Sequence, residues 1–239
     1  AWLDAVGTHN RYAVGSVDQN AVHVVAEAMF GSPLLVLVSD IDRCDYFLIV
    51  GANPAVSAWN WLETAPGGWR RALDRQQQGA RIVVVDPVRT ESAEKADVHL
   101  AVRPGQDWAL LLGLVKVILD EGRESAAGTE LATGVDTLRQ LVADTDLDDL
   151  ADRCDLPRAQ IESVARDFAS ADAAMAITRT GVSLHAGGTV AEWLGQGALV
   201  RIDGLRLQQV LHNLLQNAVK FTEAGRVQVV GELRELPTA

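Results

Sequence analysis

At 239 residues, with 48% hydrophobic and 5% aromatic side chains, the chain can bury a core as one large domain or two small ones. Its 32 acidic and 21 basic residues leave a net charge of -11, which excludes a nucleic-acid-coating surface but not a local anion site built from backbone N–H groups. The only cysteines, Cys44 and Cys154, form no CxxC, which excludes a cysteine-only iron–sulfur cluster; they read as reduced, half-buried thiols.

In chain order, Ala1 to Asn20 reads as irregular. Ala21 to Phe30 has helical spacing and stops at Gly31, and Pro33 to Val38 is a short apolar run. Tyr46 to Val50 reads as a buried strand, Trp69 to Gln78 as a helix ended by Gly79, and Ile82 to Val85 as a central β-branched strand. His99 to Val102 is another strand. Asp107 to Glu121 is a helix capped by Asp107, closed at Gly122, and apolar nearly all round. Its apolar core, near Trp108 to Leu119, contains Lys116 and is shorter than the ~20 residues of a membrane span. Asp4 interrupts the opening and no cleavage site follows, so a cytoplasmic location is expected.

Ser125 to Thr133 reads as a loop or lid-like insertion, then Asp136 to Ala143 and Leu147 to Ala151 as short helices. Pro157 to Ser170 is a stronger helix with Asp155 as its cap. Ala173 to Thr178 is a strand ending in RTGVSLHAGGT, and Val190 begins a helix. Gly195-Gln196-Gly197 breaks the pattern. Beyond it, Leu199 to Ile202 reads as a strand or turn, Leu205 to Phe221 as a long amphipathic helix and Arg226 to Val230 as an alternating strand.

Alternating strands and helices predict an α/β, Rossmann-like fold, a mostly parallel sheet flanked by helices, with the tail's helix and strand available to complete it. In such a sheet three strand-end loops meet at the carboxyl edge, where α/β folds bind ligands. There Gly51 permits close approach to a ligand, Asn53 offers a donor and acceptors, and Asp86 can bind ribose hydroxyls. Thr90 and Ser92 can donate to phosphate, Gly105 again permits close approach, and Asp107 either pairs with a base edge or caps its helix.

The runs DIDRCDYFLIVGANPAVS and VVVDPVRTESAEKADVHLAVRPGQDWALLLGL resemble the molybdopterin-dependent oxidoreductases of the dimethyl sulfoxide reductase and formate dehydrogenase type, from about Gly7 to Leu194. That resemblance implies that the loops hold a molybdopterin guanine dinucleotide through Gly51, Asn53, Asp86, Thr90, Arg103, Gly105 and Asp107. Val88 before Arg89 and Gln106 in place of a threonine depart from the family pattern. RTGVSLHAGGTVAEWL resembles the family's loop that approaches the cofactor, which adds His185, either as a cofactor contact or as a loop histidine bonded to backbone. Aligning Phe30-Gly31 with the family's "FG" brings Asp18 near the metal-ligand position, as an oxygen ligand or as a helix cap.

A second signal is RLQQVLHNLLQNAVKFTEAG, which resembles the N-box of sensor histidine kinases over about Val200 to Gly231. Asn213, Asn217 and Lys220 share one helix face, and the resemblance implies contacts to Mg²⁺ and ATP phosphates. The glycine-rich boxes of that family are absent, so ATP turnover is not expected. The combined expectation is a composite: an oxidoreductase-like α/β segment over 1–194, a junction at 195–199 and a kinase-like fragment over 200–239. Catalysis is expected to be incomplete or absent, with the family's remaining domains missing or supplied by another chain. The expected partner is a nucleotide-like cofactor, with neither nucleic acid nor membrane. The alternatives are an Mg-ATP-binding fragment and an engineered chimera without native activity.

Overall fold

The computed structural model describes residues 5–8, 18–33, 39–57, 65–126, 129 and 134–198. Its centre is a sheet of four parallel strands: β1 (Tyr46–Val50), β2 (Arg81–Val85), β3 (Val98–Leu100) and β4 (Ala174–Thr178). The spatial order is β3-β2-β1-β4, with Tyr46 opposite both Arg81 and Ala174.

Every residue of β1 is buried, as a strand covered on both faces requires. Side chains alternate across the sheet. Tyr46, Leu48 and Val50 therefore join one core with Val83, Val85 and Leu100, while Phe47 and Ile49 join another with Ile82, Val84, Met175 and Ile177. The helices divide accordingly. α1 (Asn20–Phe30) ends at Gly31 in a left-handed cap, and α2 (Gly68–Gln77) places Ala72 in the second core. α3 (Asp107–Asp120), α4 (Val135–Ala143), α5 (Leu147–Cys154) and α6 (Arg158–Ser170) contribute to the first core.

α3 is the central helix of that layer. Ten of its 14 residues are buried, as its apolar composition predicts. Lys116 is accommodated because its stem lies along the core while Nζ donates to the Val142 carbonyl (2.9 Å) and pairs with Asp120 (3.0 Å). Gly113 lets the helices approach closely: a Cβ there would lie 3.1 Å from Ile161 and 3.4 Å from Leu147.

Three local expectations are corrected. Asp155 does not cap α6; it ends α5 in a left-handed conformation (φ 59°), which aspartate tolerates better than most residues, and Pro157 precedes α6. Gln106, not Asp107, is the flanking residue of α3, and Asp107 is its first helical residue. Gly195 is not a break. The chain passes from α7 (Thr180–Ser183) and α8 (Gly188–Glu192) into a π-helical turn, Trp193–Ala198, and a Cβ on Gly195 would lie 2.5 Å from the Thr178 methyl group. That glycine marks close packing on β4. The tail elements expected after it lie outside the described residues, as does Pro33 to Val38 beyond its first residue.

Tyr46 carries a buried hydroxyl with no partner among the described residues, and its ring meets Phe168 edge-on at 5.7 Å. Burial pushes its phenol well above the ordinary range. An unsatisfied buried hydroxyl costs about 1–3 kcal/mol, so Tyr46→Phe is expected to keep the ring contact and to leave stability unchanged or raise it by about 1 kcal/mol. Urea unfolding of the two proteins checks this.

Candidate functional site

The strand order reverses at β1: β2 and β3 lie on one side and β4, which comes later in the chain, on the other. A crevice at the carboxyl ends of such strands is the ligand position of open α/β sheets. Here the loops after β1 and β4 touch through backbone alone. Gly51 has φ 60°, and a Cβ on it would lie 2.7 Å from the Val182 nitrogen; one on Gly181 would lie 2.8 Å from the Gly51 Cα. The Arg179 N–H donates to the Val50 carbonyl (3.2 Å) and the Gly181 N–H to the Gly51 carbonyl (3.1 Å). Two glycines thus let the loops after β1 and β4 pack backbone against backbone at this edge.

Between β1 and β2 the loops are joined by side chains. Asn53 Oδ1 accepts from the Ser92 hydroxyl (2.7 Å) and the Ser92 N–H (3.3 Å), and its Nδ2 donates to Glu91 (2.8 Å). The Ser92 Oγ also accepts from the Ala55 N–H (3.0 Å). Ser92 is fully buried, which corrects its expected role as a phosphate donor: its hydroxyl is used inside the protein. Asp86 follows β2 and its Oδ1 accepts from the Val88 N–H (2.9 Å), while its carbonyl lies 2.8 Å from His99 Nε2. Thr90 Oγ1 accepts from the Ala93 N–H (3.3 Å).

The loop after β3 brings Arg103, Gly105 and Asp107 to the same edge. The Arg103 guanidinium lies 3.9 Å from Asp155, both exposed, and such a pair contributes little. Gly105 is left-handed (φ 77°) beside the His185 ring. Asp107 is nearly buried, with Oδ2 3.7 Å from His185 Nε2, too long for a hydrogen bond. His185 Nδ1 accepts from the Gly187 N–H (3.0 Å), so a neutral ring carries its proton on Nε2. That Nε2 is buried and has no hydrogen-bond partner among the described residues, and neither has the buried Gln106 Oε1. An orphan donor and an orphan acceptor therefore accompany one buried carboxylate. Burial pushes the Asp107 carboxyl above its ordinary value, Asp86 adds to this, and the Asp107 amide and His185 oppose it.

The surroundings fix this corner. Gly187 is required because a Cβ there would lie 3.0 Å from the Trp108 ring and 3.1 Å from His185. Arg153 stacks over Trp108 at 5.9 Å and pairs with Asp149 at 2.7 Å. Glu192, fully buried, accepts from the hydroxyls of Thr178 and Ser183, which flank the start of the loop carrying His185. Asp18 reaches the same region, where its Oδ1 accepts from the Thr180 hydroxyl (2.5 Å). No group of three or more His, Cys, Asp or Glu side chains that could hold a metal is gathered among the described residues.

Cys44 and Cys154 form no disulfide and are fully buried, more so than expected, and the Cys44 thiol donates to the Tyr46 carbonyl (3.1 Å). Burial and the nearby Asp107 push the Cys154 thiol up to about 12, against the opposing Arg103. At pH 8 only about one molecule in ten thousand would carry that thiolate, the reactive form. Native protein is therefore expected to resist alkylation at Cys154, which should label only on denaturation. Mass spectrometry of iodoacetamide-treated protein reads this, and labelling of the native chain would mean that the β3–α3 corner opens.

The structure thus brings Gly51, Asn53, Asp86, Thr90, Arg103, Gly105, Asp107 and His185 to one edge. Asn213, Asn217 and Lys220 lie outside the described residues. Gln106, Gly181 and Glu192 were not expected. Gly181 lies in the quoted loop RTGVSLHAGGT, and a carboxylate in the apolar run VAEWL is the signal for Glu192.

Comparison with known proteins adds five findings. The family model "Molybdopterin oxidoreductase" matches residues 3–231. The nitrate reductase of Klebsiella oxytoca is 33% identical over 150 residues, covering 63% of this chain and 16% of that protein. The assimilatory nitrate reductase catalytic subunit of Bacillus subtilis is 29% identical over 191 residues (78% and 26%), and formate dehydrogenase H of Escherichia coli 28% over 147 residues (61% and 20%). Among solved structures, acetylene hydratase from Pelobacter acetylenicus superposes with a TM-score of 0.65 at 22% identity, covering 77% of this chain and 24% of that one.

The chain spans about a quarter or less of the length of these relatives. The family match runs through Val200 to Gly231, where the kinase N-box was expected. The comparisons give that N-box, the Mg-ATP alternative and a chimera of two families no support. Among the described residues no helix is long and apolar enough to cross a membrane. One further relative, from Desulfovibrio desulfuricans, is named a periplasmic nitrate reductase, so the expected cytoplasmic location is not carried forward.

Proposed function

The chain belongs to the molybdopterin oxidoreductase family, and on that premise we propose that the carboxyl edge of its sheet holds the nucleotide part of a molybdopterin guanine dinucleotide. The observation that carries this reading is a pair of buried atoms with no hydrogen-bond partner among the described residues, His185 Nε2 and Gln106 Oε1, at the corner that holds the buried Asp107. A native fold rarely leaves such groups unpaired unless a ligand or water completes them.

The residues present suit that group. Asp107 can accept two hydrogen bonds from the N–H edge of guanine, and the His185 Nε2–H can donate to an oxygen of the same ligand. Asp86, one residue past a buried strand, can accept hydrogen bonds from ribose hydroxyls. The exposed Arg103 and the Thr90 hydroxyl can meet the pyrophosphate, and Gly51 and Gly105 permit backbone approach. Asp18, the metal-ligand candidate by resemblance, reaches this edge by accepting from the Thr180 hydroxyl.

When bound, the molybdenum of such a cofactor supplies two-electron redox chemistry. This chain's own contribution is to bind and orient the nucleotide and to shield it from water on one side. Because the chain spans only a fraction of its relatives, a complete active site requires further protein. The named relatives include nitrate reductases and formate dehydrogenases, and the shared class, redox chemistry on a small anion, is what we carry over.

The test is chemical. The chain is purified from cells that make the cofactor, then assayed for molybdenum by plasma mass spectrometry and for pterin and GMP after acid hydrolysis. The proposal expects molybdenum, pterin and GMP in near-equal amounts. Protein free of all three from such cells would overturn it.

A further inference from the structure

We infer that Asn53, and with it Ser92, is a positioning residue that sets the spacing between the loops after β1 and β2. Its role in the site rests on the cofactor reading above; its test does not. The geometry is specific. The Asn53 oxygen takes two hydrogen bonds from one residue, the Ser92 N–H and hydroxyl, and its amide nitrogen donates to Glu91. Ser92 completes the crosslink by accepting the Ala55 N–H. Two residues on each loop are thus joined across 37 to 39 positions of sequence.

The burial pattern agrees. Ser92 is fully enclosed and Pro54, next to Asn53, is buried, whereas Ala55, Val56 and Ser57 are exposed. The Ser92 hydroxyl is already used, as donor to Asn53 and acceptor from Ala55, and so holds the Ala55 amide in place at the rim. Both loops also turn on their own bonds: the Val56 and Ser57 N–H groups donate to the Asn53 carbonyl, and the Glu94 N–H to the Thr90 carbonyl. Each loop is therefore a small rigid unit, and the Asn53–Ser92 crosslink fixes one unit against the other. The distance between Gly51 and Thr90, on which a pyrophosphate would have to fit, follows from it.

Amide hydrogen exchange read by NMR on the full chain, without any ligand, tests this. Ser92→Ala is expected to speed exchange of the Ala55 amide at least tenfold while the β1 and β2 amides keep their rates. Asn53→Asp combined with Glu91→Gln, which retains the acceptor for Ser92 without setting two carboxylates against each other, should keep the Ala55 and Ser92 amides slow. Asn53→Ala should release the Ser92 amide. An unchanged Ala55 rate in Ser92→Ala, or equal loss of protection in the double variant and Asn53→Ala, would overturn the inference. If Ser92→Ala loosens the whole sheet, the Asn53 pair alone decides. Failure here leaves the cofactor proposal standing, and an absent cofactor leaves the crosslink standing.

Discussion

Gly51→Val is expected to lower the melting temperature by about 10 °C and to abolish cofactor retention. Two costs add at this position. A residue with a Cβ in the left-handed conformation that Gly51 adopts costs roughly 1–2 kcal/mol. The Cβ would also press on the Val182 nitrogen at 2.7 Å and on Gly181 at 2.9 Å, and overpacking of this kind costs about 1–3 kcal/mol. Because those neighbours are backbone, no rotamer change relieves the overlap. A loss of about 3–5 kcal/mol corresponds to roughly 2–4 °C each in a domain of this size. Gly122→Val is the control. Gly122 has nearly the same φ, 61°, and nothing within 4 Å of a Cβ, so only the conformational cost should appear. Calorimetry of both variants separates the two. Equal losses would mean that the β1 and β4 loops are not in contact.

Asp107→Asn is expected to move stability and binding in opposite directions. Burial raises the Asp107 carboxyl above its ordinary 3.8, so the folded chain holds that proton more tightly than the unfolded chain does. The contribution is favourable while both states are protonated. It is lost as pH rises from 3.8 through the raised folded value, and above that value the wild type carries the full penalty of a buried charge. Asparagine removes the titration. The variant's advantage should therefore grow with pH across that window and then level off. Its affinity for the guanine nucleotide should fall, because a charge-assisted hydrogen bond is worth about 1.5–3 kcal/mol, or roughly 10- to 100-fold. Urea unfolding at several pH values, with nucleotide titration at one, reads both. A variant less stable than the wild type at neutral pH would mean that the carboxylate is satisfied within the protein.

Strands β1 and β2 were legible because a strand buried on both faces must be apolar throughout, and YFLIV and IVVV have no other reading at that length. Gly31 and Gly122 were legible as helix ends because a left-handed cap favours glycine. Gly195 misled for the same reason. Glycine also serves close packing, and nothing local distinguishes a linker from a contact with Thr178. Asp155 misled because a carboxylate before proline suits a cap, whereas the α5–α6 turn uses its left-handed conformation.

The site was legible as strand-end loops, which follow from parallel topology. The partners of its side chains were not, since they depend on contacts distant in sequence: Asn53 with Ser92, Asp107 with His185 and Thr178 with Glu192. Gln106 stood out only as a departure from the family pattern, with no sign that its oxygen would be buried unpaired beside Asp107.

On the proposed reading, four strand-end loops form one nucleotide edge with Asp107 as its specificity point. Titration of the ¹⁵N-labelled chain with millimolar GMP, followed by NMR, tests this most directly. The account predicts shifts confined to residues 51–57, 86–93, 103–107 and 179–187, weakened in Asp107→Asn and absent when AMP replaces GMP. Shifts centred elsewhere, or an equal response to AMP and GMP, would contradict it.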